Sequence, residues 1–154
     1  MPIPTLKART ALATELARVN RQRFNEAVAE GFYPCAPPTV RGATRVFDVN
    51  DIVTLRVYGR LLDGGTTPRA AGTIACGLRD LLRQHPEAER VVYVELSMGS
   101  PSWLLAEEFD RDATHLSGLD IVSFREWRLK YTRDRIVFDL REEAATLGRD
   151  DEAE

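Results

Sequence analysis

Apolar residues recur at helical spacing near the start of the chain and predict two short helices joined by a tight turn. The first covers Ala11–Val19, with Thr10 able to cap it. The second runs from about Arg21 to Glu30 and ends at Gly31, a favoured residue at a helix C-terminus. In the second helix Phe24, Ala27 and Val28 are predicted to face inward, and Arg21, Arg23 and Asn25 to face solvent.

Two longer helices follow, and each begins with a clear local signal. Asp48 with Asp51 approximates a capping box, and an apolar stripe then continues to Gly64-Gly65. Thr67-Pro68 supplies a capping hydroxyl and a proline at the first helical position of the next helix, which continues to about Gln84. His85-Pro86 stops it, because proline cannot continue a helix.

Between the second and third helices the pattern changes to short β segments. Thr39–Arg41 and Thr44–Phe47 flank Gly42-Ala43, which predicts a small hairpin. Alternation leaves Arg41 and Arg45 projecting from this hairpin. Such a ribbon beside a helix-turn-helix is a wing that can contact phosphates or enter a minor groove.

The second half of the chain is predicted to be a small antiparallel sheet with a short helix. Val91–Leu96 is the densest β-branched run, and Ser102 can cap a helix over Trp103–Phe109. Ile121–Phe124 is a further strand, and a hairpin is expected from two alternating runs, 127–131 and 136–140. The expected fold is α+β, with an extended lead-in at 1–9, a winged helix-turn-helix at 10–84, an accessory domain at 88–141 and a flexible acidic tail at 142–154.

Composition narrows the function. The 154 residues have the apolar and charged fractions of a soluble globular protein, with no apolar run long enough for a membrane helix and no signal peptide, so a cytoplasmic protein is expected. Cys35, Cys76, His85 and His115 stand far apart, which suggests two free, buried thiols and no metal site, cofactor site or catalytic triad. We therefore expect a protein that is not an enzyme.

Charge is divided unequally along the chain. Residues 1–83 contain 12 Lys or Arg and 7 Asp or Glu, a net charge of +5, whereas residues 84–154 contain 9 and 17, a net charge of −8. A basic first half can approach a polyanion that an acidic second half would repel.

Seven side chains are candidates for contacting DNA. Arg, Gln and Asn at the start of the second helix are types that can reach base edges in a major groove, although a solvated helix face explains them equally well. Residues of the hairpin would hold the flanking backbone or minor groove. The candidates are Arg21, Gln22, Arg23 and Asn25 on the helix, and Arg41, Thr44 and Arg45 on the hairpin.

A family resemblance rests on these residues and on the two helices that follow. The order helix-turn-helix, arginine hairpin, R-V-F-D-x-x-D-I-x-x-L-R-x-x-x-x-L-x-x-G-G and a further amphipathic helix resembles the DNA-binding domain of the MerR-type transcriptional regulators. The pattern begins at Arg45 and ends at Gly65, and the resemblance covers about residues 12–83. It implies a winged-helix fold that binds double-stranded DNA through its second helix and wing, usually as a dimer.

The resulting expectation is a sequence-specific, nucleoid-associated transcriptional regulator that acts as a homodimer. RNA polymerase and a small-molecule effector are possible further partners. Because Pro86 ends the fourth helix, where the family continues a long dimerisation helix, the dimer contact is expected in the acidic half. Two alternatives stay open: an architectural factor resembling phage excisionases, and a protein-interaction module built on the same fold.

Overall fold

The chain folds into a mixed α+β structure that contains, in its described part, five helices and two antiparallel sheets. The computed structural model describes residues 2–41, 44–99 and 102–153. The helices are α1 (Thr10–Ala17), α2 (Arg21–Ala29), α3 (Val49–Asp63), α4 (Pro68–Gln84) and α5 (Leu129–Ala153). The strands are β1 (Lys7–Arg9), β2 (Thr39–Val40), β3 (Thr44–Asp48), β4 (Arg90–Leu96), β5 (Ser102–Leu105), β6 (His115–Leu116) and β7 (Leu119–Arg128).

Helix α3 lies at the centre of the fold. Its side chains are buried around most of its circumference, because α1, α4 and α5 all pack against it. The capping box predicted at its start is confirmed: Asp48 accepts from the Asp51 amide at 2.8 Å, and Asp51 accepts from the Asp48 amide at 2.9 Å. Arg79 of α4 donates to both carboxylates, at 2.7 Å to Asp51 and 3.2 Å to Asp48, so the same box also holds α4.

Two glycines allow close helix packing. A Cβ at Gly59 of α3 would lie 2.9 Å from Val19 Cγ2, beside the turn between α1 and α2. A Cβ at Gly72 of α4 would lie 1.8 Å from the carbonyl oxygen of Phe32, in the loop that follows α2. At each position the absence of a side chain lets the helix approach the neighbouring turn or loop more closely than a larger residue would permit.

The first sheet has the order β1-β3-β2, and both pairings are antiparallel. The predicted hairpin is confirmed as β2 and β3, and its tip, Gly42-Ala43, lies outside the described residues.

The predicted start of α4 is also confirmed. Thr67 caps the helix by accepting from the Ala70 amide at 3.4 Å, and Pro68 is the first residue of the helix.

The second sheet has the order β5-β4-β7-β6. The predicted helix over Trp103–Phe109 is wrong, because Ser102–Leu105 pairs with β4 as an edge strand and only Ala106–Glu108 forms a turn of 3-10 helix. Alternation explains the difference. Trp103 and Leu105 both face the core and pair with Tyr93 and Val91. Residues two positions apart lie on the same face of a strand, so the strand buries both side chains.

The predicted hairpin over 127–140 is also wrong, because β7 ends at Arg128 and α5 begins at Leu129. The supposed turn at Thr132–Arg135 contains neither glycine nor proline and lies within the helix. The buried face of α5 has helical spacing and packs against α3, and this tertiary contact selects the helix over the strand that the local alternation also permits. That face consists of Leu129, Arg133, Ile136 and Leu140.

The expectation of two free thiols is wrong. Cys35 and Cys76 form a disulfide that joins the loop after α2 to α4, with their Cα atoms 5.4 Å apart. The two cysteines are 41 residues apart in sequence, so only the packing of that loop on α4 brings them together.

One buried cluster extends across both halves of the chain. It includes residues of α1 to α4 together with Val91, Trp103 and Leu129. Hydrogen bonds cross the same boundary: Trp103 Nε1 donates to the Ile74 carbonyl at 2.8 Å, and Asn50 Nδ2 donates to the Pro86 carbonyl at 3.0 Å. The acidic half is therefore packed directly against α3 and α4.

Candidate nucleic-acid interface

The start of α2 presents polar side chains to solvent, as the sequence predicts. Arg21, Gln22, Arg23 and Asn25 are all exposed, whereas Phe24 and Ala27 on the opposite face are buried. Asn20 caps the helix by accepting from the Arg23 amide at 2.9 Å. The first turn carries no acidic residue, so its basic side chains and the positive end of the helix dipole act in the same direction.

The turn between α1 and α2 is tight. Arg18 adopts a left-handed conformation with φ of 58°, and the Val19 amide donates to the Thr14 carbonyl at 2.9 Å. This closes α1 after Ala17 and lets α2 begin at Arg21. The Arg18 side chain is exposed at the turn.

A single aromatic side chain anchors both α2 and the hairpin. Phe24 is completely buried, and its ring centre lies 5.2 Å from that of Tyr33 and 5.9 Å from that of Phe47 on β3. Tyr33 in turn contacts Tyr58 of α3, with ring centres 5.0 Å apart. Because these rings are interlocked in the core, α2 and the hairpin have a fixed relative position.

The two hairpin arginines differ in their surroundings. Arg41 is exposed and has φ of 52°, immediately before the tip. The expectation that Arg45 projects is wrong, because its guanidinium donates to the Pro37 carbonyl and the residue is half-buried. Alternation gives the reason: Phe47 faces the core, so Arg45, two residues earlier on β3, points to the same side. Thr44 is also half-buried.

A further basic group lies beside the α1–α2 turn, and we call Arg18, Arg56 and Arg60 the turn arginines. Arg56 donates to the Ala17 carbonyl at 3.3 Å and Arg60 is exposed on the same helix. Burial lowers the pKa of Arg56, and the nearby charges of Arg60 and Arg18 lower it further, whereas Asp63 opposes this. The guanidinium stays charged nonetheless.

The sequence indicated only part of this group. The spacing of four between Arg56 and Arg60 places both on one side of α3, but Arg18 joins them only through the packing of the turn against Gly59. Three positive charges gathered beside one turn are a suitable contact for phosphate, and nearby Asp63 offsets part of their charge.

Acidic residues adjoin this surface at Glu26 on α2 and at Asp63 near the turn arginines. Glu26, one turn after Gln22, accepts from Gln22 Nε2 at 3.3 Å. This contact holds the Gln22 amide along the helix, so Arg21, Arg23 and Asn25 have the greater freedom to reach a ligand.

The described residues show neither a metal-binding group of side chains nor a membrane-spanning helix. Within residues 2–41, 44–99 and 102–153, no group of three or more His, Cys, Asp or Glu side chains is arranged to hold a metal ion. Among the helices described, none has the length and apolarity needed to cross a membrane.

Comparison of the sequence with models of known families and with curated proteins finds no match.

Proposed function

We propose that this protein is a sequence-specific DNA-binding transcriptional regulator with a MerR-like winged helix. The element order β1-α1-α2-β2-β3-α3-α4 is compatible with that arrangement. The observation that carries the proposal is the exposed, basic start of α2, which shares one rigid anchor, Phe24, with the hairpin. Helix α2 would enter the major groove, and Arg41 would contact the flanking backbone or minor groove.

The turn arginines extend this surface toward the DNA backbone. Three cations that do not read bases would add affinity and salt dependence rather than specificity. Arg45 and Thr44, being half-buried, would support the hairpin and contribute less to direct contacts. The acidic half would be held away from the phosphates by charge repulsion.

The test is selection of bound fragments from random DNA, followed by binding titrations at several salt concentrations. Arg21→Ala or Asn25→Ala should relax the selected consensus, at a cost of about 1–3 kcal/mol for each lost base contact. Arg41→Ala or Arg60→Ala should leave the consensus unchanged and reduce the salt slope by about one unit each. Arg128→Ala is a matched control, since that exposed side chain lies in the acidic half.

Three results would count against the proposal in different ways. No binding to any fragment at low salt would favour a protein-interaction module. Bending of DNA without a consensus would favour an architectural factor of the excisionase type. A consensus unaffected by any α2 substitution would show that another surface reads the DNA.

The proposed homodimer would use the outward face of α5. Tyr131 and Phe138 are seven residues apart on this helix, and their exposed fractions are 78% and 53%. Large apolar side chains exposed at this spacing are typical of a helix that packs against another helix. A Tyr131→Ser, Phe138→Ser double variant should shift the dissociation of the dimer to higher concentration in sedimentation experiments, and a wild-type chain that stays monomeric would refute this contact.

A further inference from the structure

A groove of about 950 Å³ lies between the two halves of the chain, away from the proposed DNA surface. Its walls come from the N-terminal segment Pro2–Pro4, the connection Gln84–Arg90 between α4 and β4, and one side of α5. Its volume is within the range of sites that hold small organic molecules.

Arg133 of α5 is a lining residue of this groove and is only 6% exposed. Its Nε donates to Asn50 Oδ1 at 3.1 Å and its Nη1 donates to the Ala88 carbonyl at 2.7 Å, so both bonds are made to neutral oxygens. Nη2 is buried and has no hydrogen-bond partner among the described residues. An unsatisfied, charged donor of this kind is costly to bury and is rare in a folded protein.

The rest of the lining restricts the ligand. Ile3, Leu105 and Val137 provide apolar surface in the groove, all of them half-buried or buried. Basic and acidic side chains are equally represented in the lining: Arg90, Lys130, Arg133 and Arg141 against Glu87, Glu89, Glu107 and Asp134. A polyanion such as a nucleotide would be repelled by these four carboxylates, three of which, Asp134, Glu89 and Glu87, act on Arg133 itself, so a ligand with a single negative charge is favoured.

We propose that this groove binds a small amphipathic monocarboxylate. A small displacement of the side chains that cover Arg133 Nη2 lets one carboxylate oxygen accept from it, and the apolar body of the ligand packs against Ile3, Leu105 and Val137. The carboxylate supplies the hydrogen bond that Nη2 lacks, and its charge adds to those of Asp134, Glu89 and Glu87 near the guanidinium. The site is independent of the DNA-binding proposal, because none of the proposed DNA-contacting residues lines it.

The experiment compares octanoate with octanamide on the wild-type full-length chain. Calorimetric titration gives the affinity, and the Arg133 side-chain Nε–H resonance in a nitrogen-15 NMR spectrum locates the ligand. Octanoate should bind at least about tenfold more tightly than octanamide, because the amide oxygen can still accept from Nη2 but lacks the negative charge that strengthens this hydrogen bond. The Arg133 resonance should shift as the site fills.

Two variants test the location. Arg133→Gln and, separately, Val137→Glu should each weaken octanoate binding by about tenfold or more, the first by removing the cation and the second by placing a carboxylate in the groove. Arg135→Gln is the matched control on the exposed side of the same helix and should bind octanoate like the wild type. Circular dichroism establishes that each variant is folded.

Equal affinity for the acid and the amide would overturn the proposal, and so would the absence of octanoate binding up to about 10 mM. Binding that shifts other resonances but leaves Arg133 unchanged would also overturn it. The acid–amide comparison needs no substitution, so it remains decisive even if Arg133→Gln fails to fold. None of these outcomes depends on whether the chain binds DNA.

Discussion

The disulfide between Cys35 and Cys76 should be a major contributor to stability. Its bond closes a chain segment of 41 residues, and restricting the unfolded chain to that extent corresponds to about 4 kcal/mol near room temperature. This is a large share of the roughly 5–15 kcal/mol by which a domain of this kind is stable. Replacing Cys35 with serine, or reducing the wild-type protein, should therefore lower the free energy of unfolding by about that amount.

Urea denaturation of oxidised and reduced protein measures this effect. With an m value of about 2 kcal/mol/M, the midpoint should fall by about 2 M on reduction. The m value should rise as well, because the unfolded chain without the cross-link exposes more surface. The reduced protein should still fold, because the loop after α2 is also held by the buried side chain of Tyr33.

The Cys35→Ser variant supplies the control, since its unfolding curve should be the same with and without reductant. Thiol titration of the denatured, unreduced wild type should detect no free thiol. Two free thiols in that titration, or equal midpoints for the oxidised and reduced wild type, would refute the reasoning.

Three further predictions concern the anchor of α2, the close approach of α4 and the capping box. Phe24→Ala should lower the free energy of unfolding by about 3–5 kcal/mol, because it empties a fully buried site; thermal unfolding measures this, and a loss below 1 kcal/mol would show that Phe24 is not the anchor. Gly72→Ala should destabilise far more than Gly64→Ala in the same assay, because the new Cβ would meet the Phe32 carbonyl oxygen at 1.8 Å, whereas at Gly64 the nearest atom is 3.5 Å away; equal effects would contradict the packing. Burial raises the pKa of the Asp51 carboxyl group above its ordinary value of 3.8, so the folded protein binds a proton at Asp51 more tightly than the unfolded chain does. The stability that Asp51 contributes should therefore be greatest at low pH and decline as pH rises from about 4 through the folded pKa. The stability of wild type relative to Asp51→Asn should therefore be greater near pH 4 than at neutral pH, and denaturation at both values would reveal the opposite sign if pairing with Arg79 dominates.

Local signals in the sequence determined where α2, α3 and α4 begin, whereas α1 begins after Arg9 without the Thr10 cap expected from the sequence. The caps at Asn20, Asp48 and Thr67 and the proline at position 68 act within one turn of chain, so each is readable without knowledge of the fold. The outward direction of the α2 side chains follows equally from helical spacing, because Phe24 and Ala27 define the buried side.

Tertiary structure decided what local patterns left ambiguous. The segment after Arg128 satisfies strand alternation as well as helical spacing, and only the surface of α3 selects the helix. The pairing of Cys35 with Cys76 and the gathering of Arg18 with Arg56 and Arg60 join residues far apart in sequence. The buried Arg133 likewise depends on Asn50 and Ala88, which only the folded chain brings to it. Local chemistry thus determined where helices begin, while long-range packing, which no spacing along the chain encodes, decided the disulfide, the basic surface and the groove.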